Sequence, residues 1–174
     1  MNDIRNFRDM TRPMGALNED RLRDFIERFE TFSDPNIPPF MYGSHYSTSA
    51  GVVLHFLVRL HPYANLHRQL QGGHFDVADR LFSNIERTYE MCTGASTAEV
   101  KELTPEWYCN PDFLRNSNNF YLGQSQEGEP IGDVVLPPWA KGSADKFVEI
   151  MRSALESKCC TYMLPSWIDL IFGL

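Results

Sequence analysis

Apolar side chains are densest between residues 52 and 60, where Val-Val-Leu-His-Phe-Leu-Val-Arg-Leu leaves only two polar positions. On a helix, these apolar residues would lie on nearly every side, which is typical of a helix inside a protein core. Ser49 is a residue type that caps helix N-termini, and Pro62 marks the beginning of the next segment. The pattern therefore predicts a central helix from Ser49 to Leu60, around which the other elements pack.

Periodic apolar positions also predict an amphipathic helix before the central one. Asn18 has a side chain that caps helices, and the pattern continues to about Phe32. The inner face of this helix would carry Leu22, Phe25, Ile26 and Phe29, and its outer face would carry charges that include Arg21.

The same reasoning predicts several helices after the central one. These are a short helix from Pro62 to about Leu70, a helix capped by Asp76 and reaching Tyr89, a capping-box helix beginning at Ser96 with Glu99, a short helix from Asn110 to about Asn116, a helix capped by Ser143, and a last helix from Cys159 to Phe172 that is interrupted or kinked near Pro165. The chain is therefore predicted to be mainly α-helical.

Proline predicts extended segments between the helices, because it lacks the amide hydrogen and restricts the residue before it. Pro35, Pro38 and Pro39 lead into an ordered loop at 42–48, and Pro137 and Pro138 predict an extended segment at 133–140. Residues 117–132 are predicted to form a loop. We expect one domain in which these segments cross a core surrounded by helices.

Composition narrows the classes of function. The chain has 174 residues, a hydrophobic content of 43% and a formal net charge of −7, with basic residues interspersed among acidic ones. Nucleic-acid binding is disfavoured because it depends on clustered positive charge. No apolar run is long enough to span a membrane. The four cysteines show no Cys-x-x-Cys spacing, which favours reduced thiols and a cytosolic compartment.

Candidate chemistry is sparse. Ser44, His45 and Ser47, with a carboxylate such as Asp169, suggest a hydrolase by residue type alone, but the Gly-x-Ser-x-Gly elbow is absent. A structural His45, hydrogen-bonded within its loop, is the favoured interpretation, and the hydrolase remains the alternative. No histidine or cysteine spacing fits a metal site, and no phosphate loop is present. We therefore expect no catalytic residues, no metal and no cofactor.

Six segments of the chain resemble, in order, the blocks of the BEACH domain family of beige- and neurobeachin-like proteins. They are FRDMTRPMGAL at 7–17, PFMYGSHYS at 39–47, FDVADRLF at 75–82, VKELTPEWY at 100–108, GDVVLPPWA at 132–140 and WIDLIFG at 167–173. The resemblance implies a BEACH-type fold, mainly α, in which helices surround a core crossed by extended, proline-rich irregular segments. It implies no catalytic residues.

The resemblance also implies a cellular context. BEACH domains normally follow a PH-like domain that packs against them, and WD40 repeats usually come after. Their parents are large, cytoplasmic, peripherally membrane-associated scaffolds in vesicle trafficking, membrane fusion and fission, lysosome-related organelles, autophagy and receptor signalling. We expect residues 1–174 to form a partial BEACH domain without the family's first segment and C-terminal end, and without PH-like or WD40 sequence. Pro165 and Ser166 replace the family's usual His-Glu.

Two sets of residues follow from this resemblance. Partner binding is expected at Phe7, Arg8, Met14, Phe40, Tyr42, His45 and Tyr46. Structural signature residues are Pro13, Gly15, Gly43, Ser44, Ser47, Asp76, Asp79, Arg80, Pro137, Pro138, Trp139, Trp167, Asp169, Phe172 and Gly173. The expected partners are the PH-like domain of the same parent, other trafficking proteins and endomembranes, and nucleic acid is not among them.

Overall fold

The structure is a computed structural model that describes residues 3–43 and 46–173. Its α-helices are α1 (Glu19–Thr31), α2 (Ser49–Phe56), α3 (Tyr63–Leu70), α4 (Ile85–Thr93), α5 (Glu106–Cys109), α6 (Ala144–Leu155) and α7 (Lys158–Phe172). Short 3-10 turns lie at Ile4–Asn6, Met14–Ala16, Ala78–Arg80, Pro111–Leu114 and Pro138–Ala140. In the described ranges, extended pairing is limited to isolated bridges between Asn84 and Val135 and between Gln124 and Pro130. The prediction of a mainly α fold is confirmed.

The first helix begins where the sequence predicts. Asn18 caps α1, and its side-chain oxygen accepts the Arg21 amide hydrogen at 2.9 Å. The predicted faces are partly wrong, because Arg21 is fully buried while Ile26 and Phe29 are 42% and 41% exposed. The Arg21 side chain is drawn inward by main-chain carbonyls of distant segments, and the periodicity of α1 carries no information about those carbonyls.

The central helix is shorter than predicted. Thr48, rather than Ser49, caps α2 by accepting the Gly51 amide hydrogen at 3.0 Å, and the helix ends at Phe56 instead of Leu60. A tight turn follows, and α3 begins after Pro62, whose ring disfavours helical geometry at the preceding residue. The segment is nevertheless central, since residues 56–58 are at most 1% exposed.

The predicted helix from Asp76 to Tyr89 is wrong over residues 76–84 and right over 85–89. A 3-10 turn at Ala78–Arg80 is followed by an extended segment, and α4 begins only after its cap, Asn84. The extended segment is held by the other extended segment of the core, because Val135 donates to the Ser83 carbonyl and accepts from the Ile85 amide. These bonds replace the helical ones that the apolar spacing predicted.

Three further differences lie between Ser96 and the C-terminal helix. The predicted helix after Ser96 is absent, since residues 95–104 are irregular, and the short α5 was not predicted. Residues 138–140 form a 3-10 turn rather than an extended segment. The last helix, α7, runs through Pro165 without an interruption, so that alternative is wrong and the kink stays a prediction. The helices expected after Asn110 and Ser143 are present, the first as a 3-10 turn.

The main core is aromatic. Its buried members are Phe56, Leu57, Phe82, Ile85, Trp107, Phe113, Leu114, Val134, Ala140, Ala144, Phe147 and Val148. Phe56 lies edge-on to both Phe82 and Trp107, with ring centroids 5.1 Å apart in each pair. Such pairs stabilise a core by more than their buried area alone. Phe82 and Val134 come from the two extended segments, so those segments cross the core between the helices.

Candidate functional site

The Phe40–Gly43 segment lies against α1. The Tyr42 ring meets the Phe25 ring edge-on at 5.3 Å, and a side chain at Gly15 would lie 2.4 Å from a Tyr42 ring carbon. A Cβ atom added at Gly43 would likewise overlap the Phe40 ring. Two signature glycines therefore allow close contact with aromatic rings, a contact that any larger residue would prevent.

Arg28 joins α1 to the same segment. Its guanidinium carbon lies 5.0 Å from the Phe25 ring centroid and 4.9 Å from the Phe40 ring centroid. It also donates to the Met41 carbonyl. A cation–π contact of this kind contributes about 0.5–1 kcal/mol or more. The Phe40 to Tyr42 part of the predicted partner-binding set is thus fixed in place by one helix.

A buried arginine ties three parts of the chain together. Arg21 donates to six main-chain carbonyls at 2.6–3.3 Å, namely those of Met14, Gly15, Met91, Cys92, Ser96 and Glu99. Met91 and Cys92 lie in the last turn of α4, whose carbonyls have no partner within the helix. Burial lowers the pKa of the Arg21 guanidinium. Its positive charge suits the negative end of the α4 dipole.

Glu102 links the N-terminal flank to the segment before α5. One oxygen accepts from Arg8 at 2.7 Å, and the other accepts the Met14 amide hydrogen at 2.7 Å. Met14 is only 4% exposed, so the flank is anchored by an inward side chain. Arg8 and Phe7 remain partly exposed.

A second group of predicted residues surrounds Tyr46, which is 3% exposed. The Tyr46 hydroxyl donates to Asp76 at 2.8 Å and accepts from Gln71 at 3.3 Å. Burial, and then the Asp76 carboxylate, raise the pKa of the Tyr46 hydroxyl. Arg80 reaches the other oxygen of Asp76 at 3.5 Å. Tyr46 therefore joins the loop before α2 to the turn before α4.

A cleft of about 140 Å3 opens beside Tyr46, and we call it the Lys101 cleft. It is lined by Tyr46, His55, Asp79, Arg80, Leu81, Phe82, Ser83, Asn84, Arg87, Thr88, Met91, Ala98, Glu99 and Lys101. Glu99 and Lys101 form a buried ion pair, with side chains 9% and 2% exposed. The Lys101 nitrogen also lies 5.6 Å from the centroid of the Tyr46 ring. Charged groups and apolar walls thus share one concave site.

Sequence reasoning missed this cleft. Asp79 and Arg80 were named as signature residues and Glu99 as part of a capping box, but Arg87 and Lys101 were not singled out. Glu99 and Lys101 stand two residues apart in a segment with an ordinary mixture of charged and apolar residues. No local signal marks them as buried, because their burial depends on α2 and α4.

The other predicted residues lie elsewhere in the fold. Pro13 precedes the first buried 3-10 turn, and Pro137, Pro138 and Trp139 lead into α6, where Trp139 stacks on Phe147 at 5.2 Å. Trp167, Asp169 and Phe172 are on α7, and Gly173 ends it. Met14 and Tyr46 are buried, so in this conformation they support the surface rather than form it. Their role in partner binding stays a prediction.

The hydrolase alternative is not assembled by the described residues. Ser44 and His45 lie outside them. Asp169 is exposed on α7, and no hydrogen bond joins it to Ser47. Within ranges 3–43 and 46–173, no group of three histidine, cysteine or acidic residues is placed to hold a metal ion. In the same ranges, no helix combines the length and apolar content that crossing a bilayer requires.

Comparison with known proteins decides the family. The family model described as Beige/BEACH domain matches residues 1–174. The chain belongs to the BEACH domain family. It is 54% identical over 167 residues to BEACH domain-containing protein B of Arabidopsis thaliana, covering 96% of this chain and 6% of that protein. The resemblance inferred from the six sequence blocks is confirmed.

Two relatives from other organisms support the same family assignment. Beige protein homolog 1 of Saccharomyces cerevisiae is 45% identical over 172 residues, covering 97% of this BEACH chain and 8% of that protein. BEACH domain-containing protein lvsE of Dictyostelium discoideum is 43% identical over 176 residues, covering 99% of this chain and 8% of that protein. The chain therefore spans less than a tenth of the length of these relatives, in which the BEACH domain is one module of a large protein.

Proposed function

We propose that this BEACH domain is a non-enzymatic interaction module of a large cytoplasmic protein that associates peripherally with endomembranes and acts in vesicle trafficking. Its processes would include membrane fusion and fission, lysosome-related organelles and autophagy. The module recruits other proteins, among them the PH-like domain of its own parent. The part played by the whole parent is inferred from family resemblance.

The proposal of a non-enzymatic module is supported by what the buried polar side chains bind. Arg21 and Arg59 are both fully buried, and both donate to main-chain carbonyls of distant segments. Tyr46 joins Asp76 in the same way. Buried charges that bridge irregular segments stabilise an architecture, whereas catalytic groups must reach a substrate.

The surface proposed for the PH-like domain includes Phe7, Arg8, Phe40 and Tyr42. Phe40 and Tyr42 are partly exposed and are held in one orientation by α1. Side chains fixed before binding lose less conformational entropy when a partner docks. A rigid aromatic surface is therefore suited to a stable contact between two domains.

The test of the trafficking role uses cells that lack the parent protein. Delivery of fluorescent dextran to acidic organelles is measured after rescue with the full-length parent. We expect deletion to slow delivery and the wild-type parent to restore it. Unchanged delivery in the deleted cells would contradict the proposed function.

The same assay tests the non-enzymatic part. Serine-to-alanine substitutions at Ser44 and Ser47 remove the hydroxyls that the hydrolase alternative would use as nucleophiles. We expect the doubly substituted parent to rescue delivery as well as the wild type does. Lost rescue at a normal level of folded protein would instead favour covalent chemistry at these serines.

A further inference from the structure

The ammonium of Lys101 has few partners for a buried charge. A lysine can donate three hydrogen bonds. Lys101 makes one, to Glu99, together with its contact to the face of the Tyr46 ring. Within the described part of the chain, its other two donors have no hydrogen-bond acceptor. Burying a charge is costly unless its donors are satisfied, so the ammonium can gain from a ligand oxygen.

Arg87 is a second cation whose hydrogen-bond donors are available to a ligand. It lies in the first turn of α4 and lines the Lys101 cleft. In the part of the chain that the structure describes, no hydrogen bond or ion pair involves its guanidinium. Arg80, by contrast, already pairs with Asp76, and Asp79 accepts the Gln126 amide hydrogen at 3.2 Å. An incoming anion would therefore meet Arg87 at the cleft.

The charge of the lining favours an anion with a single negative charge. Among the cations that line the Lys101 cleft, Arg80 pairs with Asp76 and Lys101 with Glu99. In the part of the chain that the structure describes, this leaves the single positive charge of Arg87 as the surplus, although the whole chain has a net charge of −7. A phosphoryl group, with about two negative charges, would exceed this surplus. A carboxylate matches the surplus.

The volume and walls favour a side chain. A cavity of about 150 Å3 holds one benzene-sized group, and the Lys101 cleft has about 140 Å3. Leu81 and Phe82 are 4% and 1% exposed and, with Met91, give the cleft apolar walls. The methylene groups of a glutamate could pack there while its carboxylate reaches the cations.

We propose that the Lys101 cleft binds an acidic side chain, glutamate above all, from a segment of a partner protein. Lys101 and Arg87 bind the carboxylate, and the apolar wall at Met91 contacts its methylene groups. This inference rests on the proposed function, since it supposes a protein partner. It adds the position and the chemistry of one contact.

The test is a titration followed by NMR of the full chain with 13C-labelled methionine methyl groups. The Met91 resonance is assigned by its loss in Met91→Leu. The probe is N-acetylglutamic acid α-amide, and N-acetylglutamine α-amide is the neutral control of the same shape. We expect the acid to shift Met91 with a Kd of about 1 mM, typical of a fragment of this size. An equal shift by the amide would overturn the proposal.

Variants locate the binding charge. We expect Arg87→Ala to weaken acid binding about threefold and Arg87→Glu about tenfold, as for charge pairs that involve an exposed residue. Arg87→Glu should fold, because it places glutamate at the third position of α4 after its cap Asn84, where glutamate is favoured. The matched control is Arg23→Glu, an exposed charge reversal on α1. Unchanged affinity in Arg87→Glu would overturn the proposal.

Inorganic phosphate is the competing probe. A Met91 shift that appears with phosphate and not with the glutamic acid probe would overturn the acidic side chain and assign a phosphoryl ligand. The dextran assay separates the two proposals. If Met91 does not respond to the acid but the parent restores dextran delivery, only the proposed ligand site in the cleft is refuted. If the parent has no role in trafficking, the result of the titration is not affected.

Discussion

Replacing Arg21 by methionine tests whether a single buried cation holds the N-terminal half of the fold. Methionine keeps a long unbranched side chain of similar reach but donates no hydrogen bonds. The substitution removes all six bonds from the guanidinium to main-chain carbonyls. It also removes the positive charge at the C-terminal end of α4.

The expected loss is about 5 kcal/mol of the free energy of unfolding. A hydrogen bond to a charged group contributes about 1.5–3 kcal/mol, so the six bonds have a gross value well above this figure. The methionine variant avoids the desolvation of a guanidinium, which costs several kcal/mol. A loss of about 5 kcal/mol approaches the total stability of many domains. Arg21→Lys keeps the charge and offers three N–H donors in place of five, so we expect about half of that loss.

The measurement is urea unfolding followed by tryptophan fluorescence, since Trp107 is only 4% exposed. The matched control is Arg23→Met on the same helix, where the side chain is 73% exposed. We expect the control to stay within about 0.5 kcal/mol of the wild type. A loss below about 1 kcal/mol in Arg21→Met would refute the reasoning, because it would mean that the six carbonyls do not depend on the guanidinium.

Two further predictions concern packing and thiol chemistry. Gly15→Ala should lower the free energy of unfolding by about 2 kcal/mol, because its methyl group would lie 2.4 Å from the Tyr42 ring, whereas Gly132→Ala meets no atom within 4 Å and should be neutral in the same urea assay. Burial raises the pKa of the Cys92 thiol to about 12, so at pH 8 only about one molecule in ten thousand carries the reactive thiolate there. Iodoacetamide at pH 8 should therefore modify the exposed Cys109 and spare Cys92 until the protein unfolds, and equal rates by mass spectrometry would contradict this.

Local signals predicted the elements whose bonds are local. Asn18 and Ser143 cap α1 and α6 through bonds to amides three residues later. Proline likewise acts on its own residue and the one before it. The sequence could predict those parts of the fold because each bond connects near neighbours in the sequence.

Hydrogen bonds between segments far apart in the sequence explain why some predicted elements are wrong. The apolar spacing from Val77 to Tyr89 suited a helix, but the Val135 backbone and the Arg59 side chain bind the carbonyls of residues 82 and 83 and keep that segment extended. A periodicity analysis has no access to partners so far along the chain. For the same reason the sequence did not predict the Lys101 cleft, whose walls come from α2, α4 and three other segments at Tyr46, 79–84 and 98–101.

The sequence alone determined the family, the mainly helical class and the N-termini of α1, α3 and α6, because ordered blocks, caps and prolines are local properties of the chain. The tertiary structure alone decided which charges are buried and what they bind. Arg21 shows the reason. Its six acceptors are main-chain carbonyls, which every residue possesses, so no sequence pattern could identify them before the fold brought segments 70 or more residues apart into contact.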